Sequence, residues 1–333
     1  EGATARAIAY ASLTGELQPG TEVLLNTTAE ALSLGTGGAH FVIAALDGDA
    51  ASGVFAGREA GHVLRLRYTP LQVRVQAVEE EGSPHREAIL GFKSLEGMPV
   101  VAAELHSQAA AAALAAKHTN PALRIAWVQL DTAALPIGLS RLLSRLREDA
   151  VIEAGVSIGQ GFGGDYEAVN VYTGLIAARE VVGADLAIVT QGPGNVGTGT
   201  EWGFSGIALA DALHAAHTLG GRPILAARMS EGDARARHQG LSHHAVTLFT
   251  RCLHVPAELP VPTMHLSDAL AALGEVEHGQ VIGVDTHDAL SCLTDYELSL
   301  RTMGRGPEQD RLFYEAAAAA GVFAAGRVRN EVG

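Results

Sequence analysis

Between Pro99 and Ala227 the chain alternates short apolar runs with helix-length segments, and this alternation restricts the possible folds more than any other feature. PVVAAEL, RIAWVQL, residues 153–158, DLAIVT and residues 222–227 read as strands. Residues 107–117, 138–147, 166–180 and 203–219 read as the helices between them. Strands and helices of these lengths in alternation make βαβ units and a parallel sheet. Right-handed crossovers then bring every strand's carboxyl end to one edge. The expected fold is α/β: a doubly wound, mostly parallel sheet domain over 98–333, with a smaller β-rich, barrel-like domain over 1–97 ahead of it.

The β-rich expectation rests on five short strand candidates, at 6–10, 21–25, 40–46, 62–68 and 72–78, separated by turn signals such as QPG, GTGG and DGD. LRLRY and QVRVQ alternate cleanly, so one face of each should meet water. EEEGSPH, at 79–85, reads as the charged tip of a hairpin. Beyond Arg228 the pattern loosens. A long polar loop runs to about His243, an apolar segment continues through Cys252, and a proline-spaced stretch over 255–262 carries no assigned element. A short helix near 267–273 and a last strand, VIGVD, follow. The C-terminal helix is signalled by Pro307 in its first turn with Glu308 and Asp310 beside it, and FYEAAAAAG carries it to Gly321.

Composition excludes several classes. With 333 residues the chain is long enough for two domains, and 47% hydrophobic against 18% charged residues marks a globular protein. A net charge of −14 without a basic stripe argues against nucleic acid or an anionic membrane as the main partner. Two cysteines, Cys252 and Cys292, make no disulfide framework. No apolar run has membrane-helix length and no signal-peptide pattern opens the chain, so a cytoplasmic location is the expectation. The broad alanine-rich helices are the expected surface of a homo-oligomer.

Open parallel sheets bind ligands beyond the strand carboxyl ends. Those ends carry Glu104, His106 and Ser107; Asp131 and Thr132; Asp165, Tyr166 and Glu167; the loop GPGNVGTGT; Arg228, Ser230 and Glu231; and Asp285, Thr286 and His287. The loop after Glu231 adds Arg235, Arg237, His238, His243 and His244. GPGNVGTGT holds a GxGxxG at Gly192, Gly194 and Gly197. In dinucleotide enzymes such glycines let a pyrophosphate approach a helix start. Here TGTEW separates the third glycine from the next helix, and Thr198 and Thr200 suit phosphate or carboxylate oxygens. Asn195, Gly163, Gly164 and Arg237 complete the expected ligand-binding set at this edge. Asp165, Asp131, His243, His238, Glu104 and His106 are the acid–base candidates. Asp165 reads equally as the N-cap of the following helix. Long loops such as that around His238 often serve as lids. Neither HExxH nor a Cys/His spacing occurs, so no zinc site is signalled and no metal is expected. No GxSxG elbow is present, and no cofactor is named by the residues.

LLNTTAEALSLGTGGAHFVIA, GHVLRLRYTPLQ, GFGGDYEAVNVYTGL, QGPGNVGTGTEWGFSG, RHQGLSHH and LTDYELSLRTMGRGPEQD together resemble a bacterial family known as domain of unknown function 3866. The resemblance spans nearly the whole chain and implies neither activity nor cofactor. It draws in one further polar loop, with Thr27, Thr28, Gly35, Gly37, Gly38 and His40, from which Thr28 and Gly37 join the expected ligand contacts. The expected function is binding, with or without chemical transformation, of a small anionic or nucleotide-like metabolite in a Gly-rich polar cleft between the domains. The alternatives are a non-catalytic ligand sensor or assembly protein and, resting on GxGxxG alone, an NAD(P)-dependent oxidoreductase.

Overall fold

The computed structural model describes residues 4–31, 38–46, 61–296 and 300–328. These fall into two units, Glu1–Ser83 and Pro84–Gly333. In the first, β1 (Arg6–Ile8), α1 (Ala11–Thr14), β2 (Val23–Asn26), α2 (Thr28–Ala31) and β3 (Ala39–Ala45) build a sheet of order β1-β3-β2. β3 is parallel to β1 and antiparallel to β2. A separate antiparallel pair joins β4 (Val63–Arg65) to β5 (Val73–Val75). Among the described residues there are thus two small sheets and no closed barrel. Residues 79–85 do not tip a hairpin. The Glu80 carboxylate accepts from the N–H groups of His62 at 2.5 Å and Ala77 at 2.6 Å. The chain then runs into a helix, α3 (Arg86–Gly91).

The second unit is built on eight parallel strands. β6 (Pro99–Ala103), β7 (Ile125–Leu130) and β10 (Leu186–Gln191) are buried at every position, as strands covered on both faces must be. With β8 (Ala154–Ser157), β9 (Tyr166–Glu167), β11 (Arg222–Leu225), β14 (Ala257–Pro262) and β15 (Gly279–Val284) they lie in the order β15-β14-β11-β6-β10-β7-β8-β9. A short antiparallel pair, β12 (Met229–Ser230) with β13 (Gly240–Leu241), stands outside that sheet. The proline-spaced segment proves to be β14. Its pairing with β11 covers only Ile224 and Glu258, and Pro260 and Pro262 follow where pairing continues with β15 alone. Their missing N–H groups therefore do not interrupt two ladders.

Two residues expected to be helical are strand. Tyr166 and Glu167 pair with Val156 and Ser157, and the helix α6 (Val171–Glu180) begins later, capped by the Asn170 side chain on the N–H groups of Tyr172 and Thr173. Asp165 is therefore not the N-cap.

The chain leaves β6 through α4 (His106–Thr119) toward β7 and β8, the latter after α5 (Arg141–Glu148). It returns through α6 to β10, which lies between β6 and β7, and then crosses through α7 (Leu209–Thr218) to β11 on the far side of β6. Right-handed crossovers in opposite directions put α4 and α7 on opposite faces. The strand order thus reverses between β6 and β10, and such sheets bind ligands beyond the strand carboxyl ends at that point. The following helices are α8 (His243–Thr247), which continues as a π-helical turn over Leu248–Cys252, then α9 (Leu266–Leu273), α10 (His287–Asp295) and α11 (Arg311–Ala325).

The alanine-rich helices face each other inside the unit. Ala109 to Ala113, Ala115 and Ala116 of α4 and Ala316 to Ala320 of α11 are fully buried in one core cluster with Trp127, Phe313 and Tyr314 or against it. The alanine faces expected on a subunit interface are thus consumed within the chain. α11 starts at Arg311, one residue after Asp310, and Pro307 lies in the turn before it. Asp310 is fully buried. Its carboxylate accepts from Ser230 Oγ at 2.7 Å, Arg305 Nε at 2.9 Å, and the N–H groups of Glu231 and Gly232 at 3.1 and 3.2 Å. It fastens the C-terminal segment to the loop after β12. Asp310→Asn keeps the shape and removes the charge, and is expected to cost about 2 kcal/mol, since charge-assisted hydrogen bonds are the stronger ones. Urea unfolding measures it, and a loss indistinguishable from zero would remove Asp310 from this role.

Candidate functional site

At the reversal point between β6 and β10 stands Glu104, the residue after β6, which is only 5% exposed. Its Oε1 accepts from Asn195 Nδ2 at 2.7 Å, Arg228 Nη1 at 2.8 Å and His244 Nδ1 at 2.5 Å. Burial pushes the Glu104 carboxyl up, but the His244 hydrogen bond and the Arg228 charge outweigh it and hold the group below its ordinary value. Gly206, at the start of the turn leading to α7, is required by this packing: a Cβ there would lie 2.5 Å from Glu104 Cγ.

The glycine loop is tied to this carboxylate through Asn195. Gln191 Nε2 donates to Asn195 Oδ1 at 2.8 Å and to the Glu104 carbonyl at 2.9 Å, and Ser205 Oγ donates to Asn195 Oδ1 at 2.7 Å. Gln191 Oε1 accepts from Thr132 Oγ1 at 3.0 Å, bringing in the β7 exit. The loop then folds back on itself, with Gly197 bridged to Phe204 and Thr198 N–H donating to the Gly203 carbonyl at 2.9 Å. α7 begins only at Leu209, so the glycines do not open a helix as a dinucleotide fingerprint requires. The N–H groups of Gly194, Asn195, Gly197 and Gly199 make no hydrogen bond among the described residues. The hydroxyls of Thr198 and Thr200 lie 2.9 Å apart and pin the loop to the Gly203 backbone. Gly192 lies at the loop's base, close to the Ala134 carbonyl.

The polar loop after β12 is a hairpin pinned at its base. β12 and β13 close its base, and Asp233 holds its interior. The Asp233 carboxylate takes Arg235 Nε at 2.9 Å, Arg235 Nη2 at 2.8 Å and the Arg235 N–H at 3.0 Å. Those bonds from Arg235 hold the Asp233 carboxyl far below its ordinary range. The loop delivers His238, and α8 delivers His243 and His244. His238 Nδ1 lies 2.8 Å from Ser242 Oγ, which also caps α8 by accepting from the His244 N–H at 3.3 Å. Phe204 stacks on His244 with ring centroids 4.0 Å apart and planes 7° apart. Burial, and then the charges of Arg228 and Arg235, push the His238 imidazole down to about 3, and burial lowers His243 as well. The His243 Nε2 is buried with no hydrogen-bond partner. Arg237 lies exposed against Gly199 and makes no ion pair among the described residues.

Thus Glu104, Asn195, Gly192, Gly194, Gly197, Thr198, Thr200, Arg237, His238 and His243 belong to one neighbourhood. Within the second unit, Asp165, Gly163, Gly164 and Asp131 are engaged elsewhere. Asp165 pairs with Arg147 Nη2 at 2.6 Å and with the Gly155 N–H at 2.8 Å, alongside the middle of β8. The Gly163 N–H is spent on Glu167 Oε1 at 2.7 Å and that of Gly164 on Ser157 Oγ at 3.0 Å. Asp131 accepts from the Gln160 N–H at 2.8 Å and so fixes the turn after β8. Thr28 opens α2 in the first unit with its N–H on Asn26 Oδ1 at 3.0 Å, and Gly37 lies outside the described residues.

His106 is a packing histidine. Its ring meets Trp127 edge-on at 4.8 Å, its Nε2 contacts Ser140 Oγ, and its Nδ1 lies 3.4 Å from the Gln191 carbonyl. Burial pushes it down from 6.5 to about 4. The unfolded chain then binds a proton between these values that the folded chain refuses. Stability from this group is complete above about 6.5 and lost as the pH falls toward 4, by up to about 3 kcal/mol. His106→Gln is expected to flatten that acid limb in urea melts run from pH 4 to 7.5. An unchanged slope would exclude His106 as its source.

Arg228 and His244 are the central residues that the motifs did not single out for a role. His244 sits beside a histidine that was singled out, and Arg228 follows a strand end, but nothing in their spacing pairs either with Glu104, more than a hundred residues away in the chain.

These features define a class: a parallel α/β protein with a polar site at the reversal of its strand order. The family model described as "Protein of unknown function (DUF3866)" matches residues 6–321, and the chain belongs to that family. No curated protein matches it, and no solved structure does. No helix among the described residues is long and apolar enough to cross a membrane.

Proposed function

We propose that the edge around Glu104, Asn195 and the glycine loop binds a small anionic metabolite, with a phosphate or carboxylate as the recognised group. One observation carries this reading. The N–H groups of Gly194, Asn195, Gly197 and Gly199 make no hydrogen bond among the described residues, and the exposed guanidinium of Arg237, in no ion pair among them, lies against Gly199 of the same loop. Backbone N–H clusters and arginine forks recognise anions through charge-assisted hydrogen bonds. The ion pair of Glu104 with Arg228 and the bonds from Gln191 and Ser205 to Asn195 support holding the loop in place. Reaction chemistry is a further step, and a ligand recovered unchanged after long incubation would favour a sensor.

The test is calorimetric titration of the chelator-treated chain with inorganic phosphate, mononucleotides, sugar phosphates and dicarboxylates. At least one is expected to bind, and Arg237→Ala is expected to weaken it about tenfold, the worth of one charge-assisted contact. Binding that is unchanged in the variant, or no binding across the panel, would overturn the reading.

A further inference from the structure

We infer that His238, His243 and His244 form a site for a divalent transition metal of the zinc type, with one coordination position open toward the glycine loop. One ring nitrogen of each lies within 4.8 Å of those of the other two, and among the described residues this is the one such group of three. A tetrahedral zinc holds its nitrogens at about 2.0–2.1 Å, hence about 3.4 Å from one another, so side-chain torsions closing the trio by up to about 1.4 Å would complete it.

The surroundings are those of oriented ligands rather than of a chance cluster. A metal-binding imidazole usually engages its second nitrogen with a carboxylate, hydroxyl or carbonyl group, which fixes the ring and leaves the other lone pair for the metal. His244 Nδ1 is engaged by Glu104 Oε1, and His238 Nδ1 lies against Ser242 Oγ. Each therefore presents Nε2. His243 contributes a buried Nε2 with no partner, a nitrogen whose desolvation nothing in the described chain offsets. The ring centroids are 5.1 Å apart for His238 and His243, 4.9 Å for His238 and His244, and 4.3 Å for His243 and His244. The Cε1–Nε2 edge of His244 faces Gly197, where a Cβ would stand 3.1–3.4 Å away, so the glycine leaves that edge unobstructed.

Charge is compatible with a cation. Arg228 is paired with Glu104 and Arg235 with Asp233, so two of the neighbouring cations are already compensated. Arg237 is left to face an anion at the open position. That the open position takes the anionic group rests on the function proposed above, whereas the three-histidine site does not. Three neutral imidazoles with an open position is the ligand set of catalytic rather than structural zinc, and imidazole also accepts cobalt and nickel.

The experiment is titration of the chelator-treated full chain with Co(II), followed by visible spectroscopy and displacement with Zn(II). About one equivalent is expected, with the intense visible bands of a tetrahedral or five-coordinate ion. Affinity should fall about tenfold or more in His243→Ala and in His244→Ala, and stay unchanged in His254→Ala, which probes the separate His214–His254–His278 surface group. Should His243→Ala not fold, X-ray absorption of the zinc-loaded wild-type chain decides, with three imidazole nitrogens at about 2.0 Å expected. No uptake by the folded wild-type chain, uptake unchanged in folded His243→Ala, or fewer than three imidazoles would overturn the site. These measurements contain no added anion and those proposed above contain no metal, so either reading can fail alone.

Discussion

Glu104→Ala is expected to destabilise the second unit by about 3–5 kcal/mol, among the largest effects of any single substitution in the chain. Removing one partner of a buried ion pair leaves the other charge desolvated and uncompensated, and that residual charge dominates the loss. Arg228 is 6% exposed, and Glu104 is the carboxylate within ion-pair distance of it. The same substitution frees Asn195 and the His244 Nδ1, so the glycine loop and α8 both lose an anchor. A double-mutant cycle separates the terms. Glu104→Ala combined with Arg228→Ala should cost clearly less than the sum of the two singles, because the orphaned cation is then absent. Urea unfolding of the four proteins gives the result. Additive losses, or a single-variant cost below about 1 kcal/mol, would show that the carboxylate is not what holds this edge together.

Gly321→Ala carries the second large effect, and its sign is the informative part. Helix propensity alone favours alanine over glycine by about 1 kcal/mol in a helix interior, so a reading confined to the sequence expects stabilisation. In the folded unit a Cβ at Gly321 would lie 2.1 Å from the Ala112 carbonyl oxygen and 3.0 Å from the Ala116 nitrogen, all backbone atoms of α4. Backbone cannot rotate aside as a side chain can, so α4 and α11 would have to separate and give up contacts along the alanine core. A net loss of about 3 kcal/mol is expected, at the upper end of what overpacking costs. A thermal or urea melt that shows a gain in stability would mean that the two helices do not approach at this point.

The α/β class and the approximate positions of most strands were legible in the sequence because buried parallel strands have to be apolar on both faces. PVVAA, IAWVQL and LAIVTQ carry that constraint openly. Elements governed by a weaker local signal were not. In β14 the prolines concealed a strand that tolerates them only because its pairing becomes one-sided. Tyr166 and Glu167 follow two glycines and precede a helix-like run, and only pairing with β8 makes them strand.

The glycine loop, Glu104, Arg237 and the histidines around His238 could be picked out individually from their places after strands, since a parallel sheet sends every strand exit to one edge whatever the side chains. Which of these residues meet was decided by tertiary structure alone. Asp165 and Asp131 are the same residue type at equivalent-looking exits, yet one pairs with Arg147 and the other holds a turn. Glu104 and His244 have no local relation in the chain, and their contact exists because α8 returns to the carboxyl end of β6. Strand exits are set by patterns a few residues long. Partners across a crevice depend on the order in which strands are laid into the sheet, a long-range choice that no short window of sequence records.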